Sequence, residues 1–213
     1  VQLAEVNLFL IFIASIFFDL LIGDPEFIIH PVQIIGTYVE KFSNIFIYNF
    51  RENKSILFWG GLLIALSTIA ISFSFGKIIE LNYFQSKNSF LGTLFIFFGL
   101  SSCIASKGLT SSVKDILNFL EHEEINDENE KVLKAKVQKI VSRDVSSSSY
   151  KHLLRSSVES LTENSVDGIF GPLFWMFVGI ILMKFSIFLP GPLALGFSYK
   201  AASTLDSICL LYT

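Results

Sequence analysis

Residues 142–168, SRDVSSSSYKHLLRSSVESLTENSVDG, concentrate ionisable and amide side chains in one helix-sized segment between apolar runs. Within it Arg155, Glu159, Glu163 and Asp167 recur at every fourth position. Steps of four drift by only about 40° on a helix of 3.6 residues per turn, so these side chains are expected to share one face, with Asn164 at its border. Carboxylates and a cation on one face can hold a charged ligand, and the short serines among them, Ser156, Ser157 and Ser160, suit its close approach. The competing reading is a solvated helix face whose Arg–Glu pairing contributes roughly a few tenths of a kcal/mol. The run Ser146 to Ser149 offers N-caps, because a hydroxyl accepts from free N–H groups, and Gly168 offers an end, because glycine tolerates positive φ.

A second group of candidates lies in GDPEFIIHPVQIIG, residues 23–36. Pro25 forces Asp24 into an extended conformation that projects its carboxylate, and Pro31 restricts His30 in the same way. A membrane-surface turn with an N-capping Asp is the plainer alternative. Asp19, just upstream, is a carboxylate near the end of an apolar run, where a partner or the interface is expected. A third group, Lys200, Thr204, Asp206 and Ser207, sits on a background of small residues.

The elements that must position these groups are mostly apolar. With 213 residues, 52% hydrophobic content and 23 phenylalanines, the chain is expected to be a membrane protein. Its net charge of −3 carries no basic stripe, so no nucleic-acid partner is implied. Cys103 and Cys209 lie in or beside apolar sequence without metal-ligand spacing and read as reduced packing residues. Residues 3–22, 55–75 and 89–106 are runs of about the length that spans a bilayer, the third rich in Gly and Ser. Residues 33–49 read as an amphipathic interfacial helix, and 76–88 as a short polar link. From 107 to 141, apolar residues at helical spacing predict two helices joined by the acidic link 121–130, with His122 in a solvated loop. His152 reads as a surface residue.

Residues 169–189 are apolar, but Pro172 and Lys184 interrupt them and Pro190-Gly191-Pro192 closes them. Lys and Arg number three after the first run, two after the second and nine after the third. The excess of basic residues in cytoplasmic loops puts the first and third of these loops in the cytoplasm, with the N-terminus outside. If 169–189 crossed fully, Lys200 and Asp206 would lie on the opposite face. A re-entrant pair of short helices reunites all three polar clusters on one side and is the favoured expectation.

At these clusters the sequence resembles the CobD/CbiB family, membrane-associated cobinamide-phosphate synthases of cobalamin biosynthesis. The family's opening signature, an Asp followed by Gly-Asp-Pro, His-Pro-Val and Gly, stands here as DLLIGDPEFIIHPVQIIG. Its central signature of Arg-Asp, Arg, Glu-Ser, Glu-Asn, Asp-Gly and Pro-Leu-Phe stands as SRDVSSSSYKHLLRSSVESLTENSVDGIFGPLFW. The later Tyr-Lys-Ala with Thr-Leu-Asp-Ser stands as YKAASTLDS. Three motifs in order, over essentially the whole chain, make the likeness specific. It departs at Ser203, where many members carry Asn, and at Ile208, Cys209, Leu210 and Leu211, where they carry Met-Val-Gly-Tyr. Members also continue further, so the chain is expected to be C-terminally truncated.

The resemblance implies an all-α, multi-pass protein of the cell's inner membrane, with three to four transmembrane helices and a cytoplasmic active face. Residues 1–213 would form a single membrane domain, with a cytoplasmic helical insertion at 107–168 carrying the central motif. The implied activity is an ATP-dependent amide ligase that joins adenosylcobyric acid to an aminopropanol phosphate, or a similar amino-alcohol phosphate, to give adenosylcobinamide phosphate. ATP and Mg²⁺ are the implied cofactors; the corrinoid, the amino-alcohol phosphate and the lipid bilayer are the implied partners. Such a synthesis is expected to pass through an acyl phosphate, whose formation needs metal-binding carboxylates and cations that offset phosphoryl charge. No P-loop is present. Asp24, Glu159, Glu163 and Asp167 are then candidate catalytic groups, with Asp24, Glu163 and Asp167 as candidate Mg²⁺ ligands. Arg143, Asp144, Arg155, Asn164, His30, Lys200, Asp206 and Ser207 are candidate substrate and phosphate contacts. The alternative is a non-catalytic membrane sensor or transporter component. A transporter, however, places ionisable groups at the bilayer midplane on broken helices, and here most lie outside the apolar runs.

Overall fold

A bilayer offers the backbone no hydrogen-bond partners, so apolar runs of this length must close their own bonds as helices. The computed structural model, which describes residues 2–23, 31–50, 52–85, 90–122, 126–141 and 144–211, contains no strand among them. Its helices are α1 (Gln2–Leu21), α2 (Pro31–Phe50), α3 (Lys54–Gln85), α4 (Phe90–Ser101), α5 (Ser106–His122), α6 (Asp127–Val137), α7 (Tyr150–Ser165), α8 (Gly171–Met183) and α9 (Pro192–Leu211). A π turn, Val166–Phe170, joins α7 to α8. Three helical stretches are long and apolar enough to cross a membrane, Lys54–Gln85, Phe90–His122 and Tyr150–Met183, and Asn7–Leu21 is a shorter apolar helix. The chain is an all-α membrane protein. The amphipathic helix expected at 33–49 is α2, which runs antiparallel to the first half of α3: Tyr38 meets Ser67 at 3.2 Å, and Val39 packs with Ile64 and Leu205.

The polar link expected at 76–88 is not a link as far as residue 85. Instead α3 continues for 32 residues, because Lys77 and Glu80 find partners in the protein. The fully buried Glu80 accepts the backbone N–H groups of Gly191 at 3.2 Å, Leu193 at 2.8 Å and Ala194 at 3.0 Å. Those are the unsatisfied donors at the start of α9, and a carboxylate also suits the positive end of that helix. Lys77 donates to the carbonyls of Ile187, at 2.7 Å, and Leu189 in the preceding turn, and pairs with Glu80 at 3.6 Å.

At the opposite end of the bundle α1 and α5 cap each other. Asp19, 1% exposed, accepts the N–H of Ser106 at 2.8 Å, while Lys107 donates to the carbonyls of Leu21 and Ile22, each at 2.8 Å. Gly23 closes α1 at φ +70°, and a Cβ there would lie 2.9 Å from Lys107 Cδ, so both backbone and neighbour require glycine.

Residues 169–189 are not a re-entrant pair of short helices. They continue α7 through the π turn into α8, and Lys184 falls at the helix end, where a cation suits the free carbonyls. Gly168 does not end the helix either. Pro172 has no N–H to offer the Gly168 carbonyl four residues back, and its ring crowds that carbonyl. The helix widens there into the π turn, and the released Gly168 oxygen accepts the N–H of Ala105, at the break between α4 and α5, at 2.9 Å. The polar clusters meet because α9 itself returns antiparallel to α8, its Tyr199 against Gly171 and its start against Gly179.

Two cores result. Ile96, Leu100, Ile104, Met176, Leu193 and Phe197 pack the bundle of α1, α3, α4, α8 and α9. Ile116, Leu133, Val137, Ile140, Val141 and Leu153 pack α5, α6 and α7 into a smaller unit. Glu80→Ala is expected to destabilise the protein by about 3 kcal/mol, because three buried donors and Lys77 lose their acceptor; an unchanged Tm in detergent would refute the clamp. Cysteines placed at Ser203 and Ser112, which line one cavity, in a background lacking Cys103 and Cys209 should both react with an impermeant maleimide from the same side of the membrane. Labelling of the two cysteines from opposite sides would overturn the return of α9.

Candidate functional site

The break at Ala105 and the π turn at Asp167 lie side by side, joined by the Ala105–Gly168 hydrogen bond. Between them, the end of α6 and α9 lies a cavity of about 420 Å³. Asn164, Asp167, Lys200 and Ser207, all expected from the sequence, line it, together with Lys139, Ser112, Ser203 and Thr204. Asn164 donates to the Ile140 carbonyl at 3.0 Å, tying α7 to the segment after α6. Asp167 accepts from the Tyr199 hydroxyl at 3.2 Å. Thr204 donates to the Lys200 carbonyl at 2.7 Å and Ser207 to the Ser203 carbonyl at 3.1 Å, so both hydroxyls present acceptor lone pairs to their surroundings. The cavity thus combines two ammonium groups, one carboxylate and several neutral polar groups, a set suited to an anionic ligand carrying hydrogen-bonding functions.

The remaining candidates lie elsewhere. Asp24, His30 and Arg143 fall outside the described residues. Arg155, Glu159 and Glu163 are exposed on α7 and do not line the cavity. The one-face expectation fails over its full length because a drift of about 40° per step accumulates to about 120° between Arg155 and Asp167, and the π turn changes the register again. Asp206 is exposed and does not line the cavity. Asp144 is exposed and accepts the N–H of Ser146 at 2.9 Å, which holds its carboxyl below the usual range; it serves the turn before α7. Ser149 stands at the N-cap of α7 without a capping side-chain bond. Among the described residues no three His, Cys, Asp or Glu side chains gather to hold a metal, so Glu163 and Asp167 do not form the expected ligand set with any described third group.

Sequence reasoning missed Lys139 and Tyr199. Lys139 is one of several lysines on or just after α6, and nothing in their spacing marks the one that a neighbouring helix brings to a cavity. Tyr199 stood beside Lys200 in the third motif, but only the antiparallel return of α9 shows that its ring crosses to α8.

The CobD/Cbib protein family matches the chain over residues 12–209. A cobalamin biosynthesis protein CobD of Synechocystis sp. is 32% identical over 194 residues, which cover 91% of this chain and 53% of that protein. A probable cobalamin biosynthesis protein CobD of Methanococcus maripaludis is 33% identical over 195 residues, 90% of this chain and 57% of the other. A cobalamin biosynthesis protein CobD of Clostridium acetobutylicum is 29% identical over 197 residues, 92% and 56% respectively. The chain therefore spans little more than half the length of the curated relatives it matches. No solved structure matches it. With this match over nearly all of its described helices, the chain belongs to the CobD/CbiB family.

Proposed function

We propose that the protein, in its full length, is a cobalamin-biosynthesis enzyme that forms an amide between a carboxylate of adenosylcobyric acid and the amine of an aminopropanol phosphate, with ATP hydrolysed. The observation that supports this reading is the cavity, where the central and late motifs meet although Asp167 and Lys200 are 33 residues apart in sequence. Its two ammonium groups suit a phosphate ester or a nucleotide phosphate, and its single carboxylate suits an amine. In this reading the half-buried Lys200 and the exposed Lys139 offset the charge of the phosphate groups, Lys200 the more strongly because a partly desolvated cation acts more strongly than one in water. Asp167 orients the ammonium end of the amino alcohol and takes the proton whose loss frees the nitrogen lone pair; as the C–N bond forms and the acyl–phosphate bond breaks, the second proton leaves with the departing phosphate. Asn164 and the serine and threonine oxygens of α9 order the polar parts of the substrates.

ATP supplies activation of the acid, and Mg²⁺ supplies charge neutralisation on the phosphates. Mg²⁺ commonly takes only one or two protein carboxylates beside phosphate oxygens and water. A closed cage of protein ligands does not fit the described residues, and with Asp167 engaged by the amine the ion would be held chiefly by phosphate oxygens and water. The active face in this reading is cytoplasmic, as the distribution of Lys and Arg implies.

In membranes carrying the full-length protein, adenosylcobyric acid, aminopropanol phosphate and MgATP should yield the amide, with none formed when ATP is omitted. Asp167→Asn and Lys200→Met should each lower its formation by about 100-fold, and Glu163→Gln, outside the cavity, by less than about tenfold. Chromatography of the corrinoid product checks all of these; wild-type rates in Asp167→Asn or Lys200→Met would refute the site. Product formation without ATP would refute the mechanism.

A further inference from the structure

Asp167 sits in a π turn, where the regular i→i−4 backbone ladder of the helix is interrupted. Its carboxylate is held from α9. The Tyr199 hydroxyl donates to Oδ1 at 3.2 Å, and Tyr199 immediately precedes Lys200, which lines the same cavity. The tyrosine ring reaches Asp167 by passing over Gly171: a Cβ at position 171 would lie 2.1 Å from the ring and its hydroxyl oxygen. No side chain but hydrogen is compatible with that path. Pro172 next to it causes the π turn, so GIFGP, residues 168–172, both displaces Asp167 from helical register and opens the seat for the group that restrains it.

We infer that Tyr199 is a positioning residue for Asp167, seated on Gly171, and that this contact sets how the carboxylate is presented to the substrate amine. The inference rests on the reading of Asp167 as a group of the amide-forming site. With Oδ1 accepting from the phenol, Oδ2 is the oxygen this inference assigns to the ligand. Because Tyr199 and Lys200 are consecutive on α9, any shift of that helix moves the carboxylate's restraint and the cavity's cation together.

The experiment is a pair of double-variant cycles on the full-length protein. In amide synthesis, Tyr199→Phe should lower kcat about tenfold while both KM values stay within about twofold, since the ring remains and one hydrogen bond to a charged group is lost. In an Asp167→Asn background the same change should cost less than about twofold. Additive losses would overturn the inference, because a merely structural tyrosine acts independently of Asp167. The second cycle reads Tm in detergent and needs no activity. Gly171→Ala should lower Tm in the otherwise unchanged protein and leave it unaltered in a Tyr199→Ala background, where no ring occupies the seat. An equal lowering in both backgrounds would overturn the seat. Wild-type membranes that make no amide would sink the amide-forming reading, and with it the proposed role toward an amine; the Tm cycle, extended to Tyr199→Phe with Asp167→Ala, would then still decide whether Tyr199 restrains Asp167.

Discussion

A helix that begins or ends within a membrane protein's interior leaves backbone N–H and C=O groups that lipid cannot satisfy, and each such group costs several kcal/mol. The architecture follows from how this chain meets that requirement. Glu80 and Lys77, one turn apart on α3, satisfy the start of α9 and the turn before it. Asp19 and Lys107 do the same reciprocally for α5 and α1. Each pair spends charge on backbone groups of another helix, so it fixes the height of one helix relative to another. Apolar packing alone determines height poorly, because lipid tails are as apolar as leucine.

Height decides where the cavity forms. The clamp on α3 sets the start of α9, and from there Lys200, Ser203 and Ser207 follow at helical intervals. The caps between α1 and α5 set the break after α4, where Ala105 offers its N–H. Pro172 then releases the carbonyl that receives it. A proline that would be a defect in an isolated helix here joins two spanning stretches at the level of the cavity and places Asp167 in its wall.

The cavity also lies where two separately packed bodies meet. The bundle core holds the spanning helices, while α5, α6 and α7 have their own apolar centre. A site at such a junction can take one polar wall from each: Asn164 and Lys139 come with the smaller body, Lys200 and its neighbours with the bundle. That arrangement leaves the exposed carboxylates of α7, Glu159 and Glu163, free of the cavity wall.

The sequence by itself determined the class of protein, the positions of most helices and the identity of the polar clusters, because these depend on composition and local periodicity. Asp19 was legible as a carboxylate needing a partner, Gly23 as a turn, and Asp167, Asn164, Lys200 and Ser207 as site candidates. Only the tertiary structure decided that Glu80 lies in a helix rather than a link, that Gly168 joins two helices instead of ending one, and that α9 returns in place of a re-entrant loop. It also decided that Tyr199, through Gly171, reaches Asp167. The physical reason is the same in each case: these outcomes depend on hydrogen bonds between residues about 30 to 110 positions apart, and no local pattern states which distant backbone group a buried carboxylate or phenol will find.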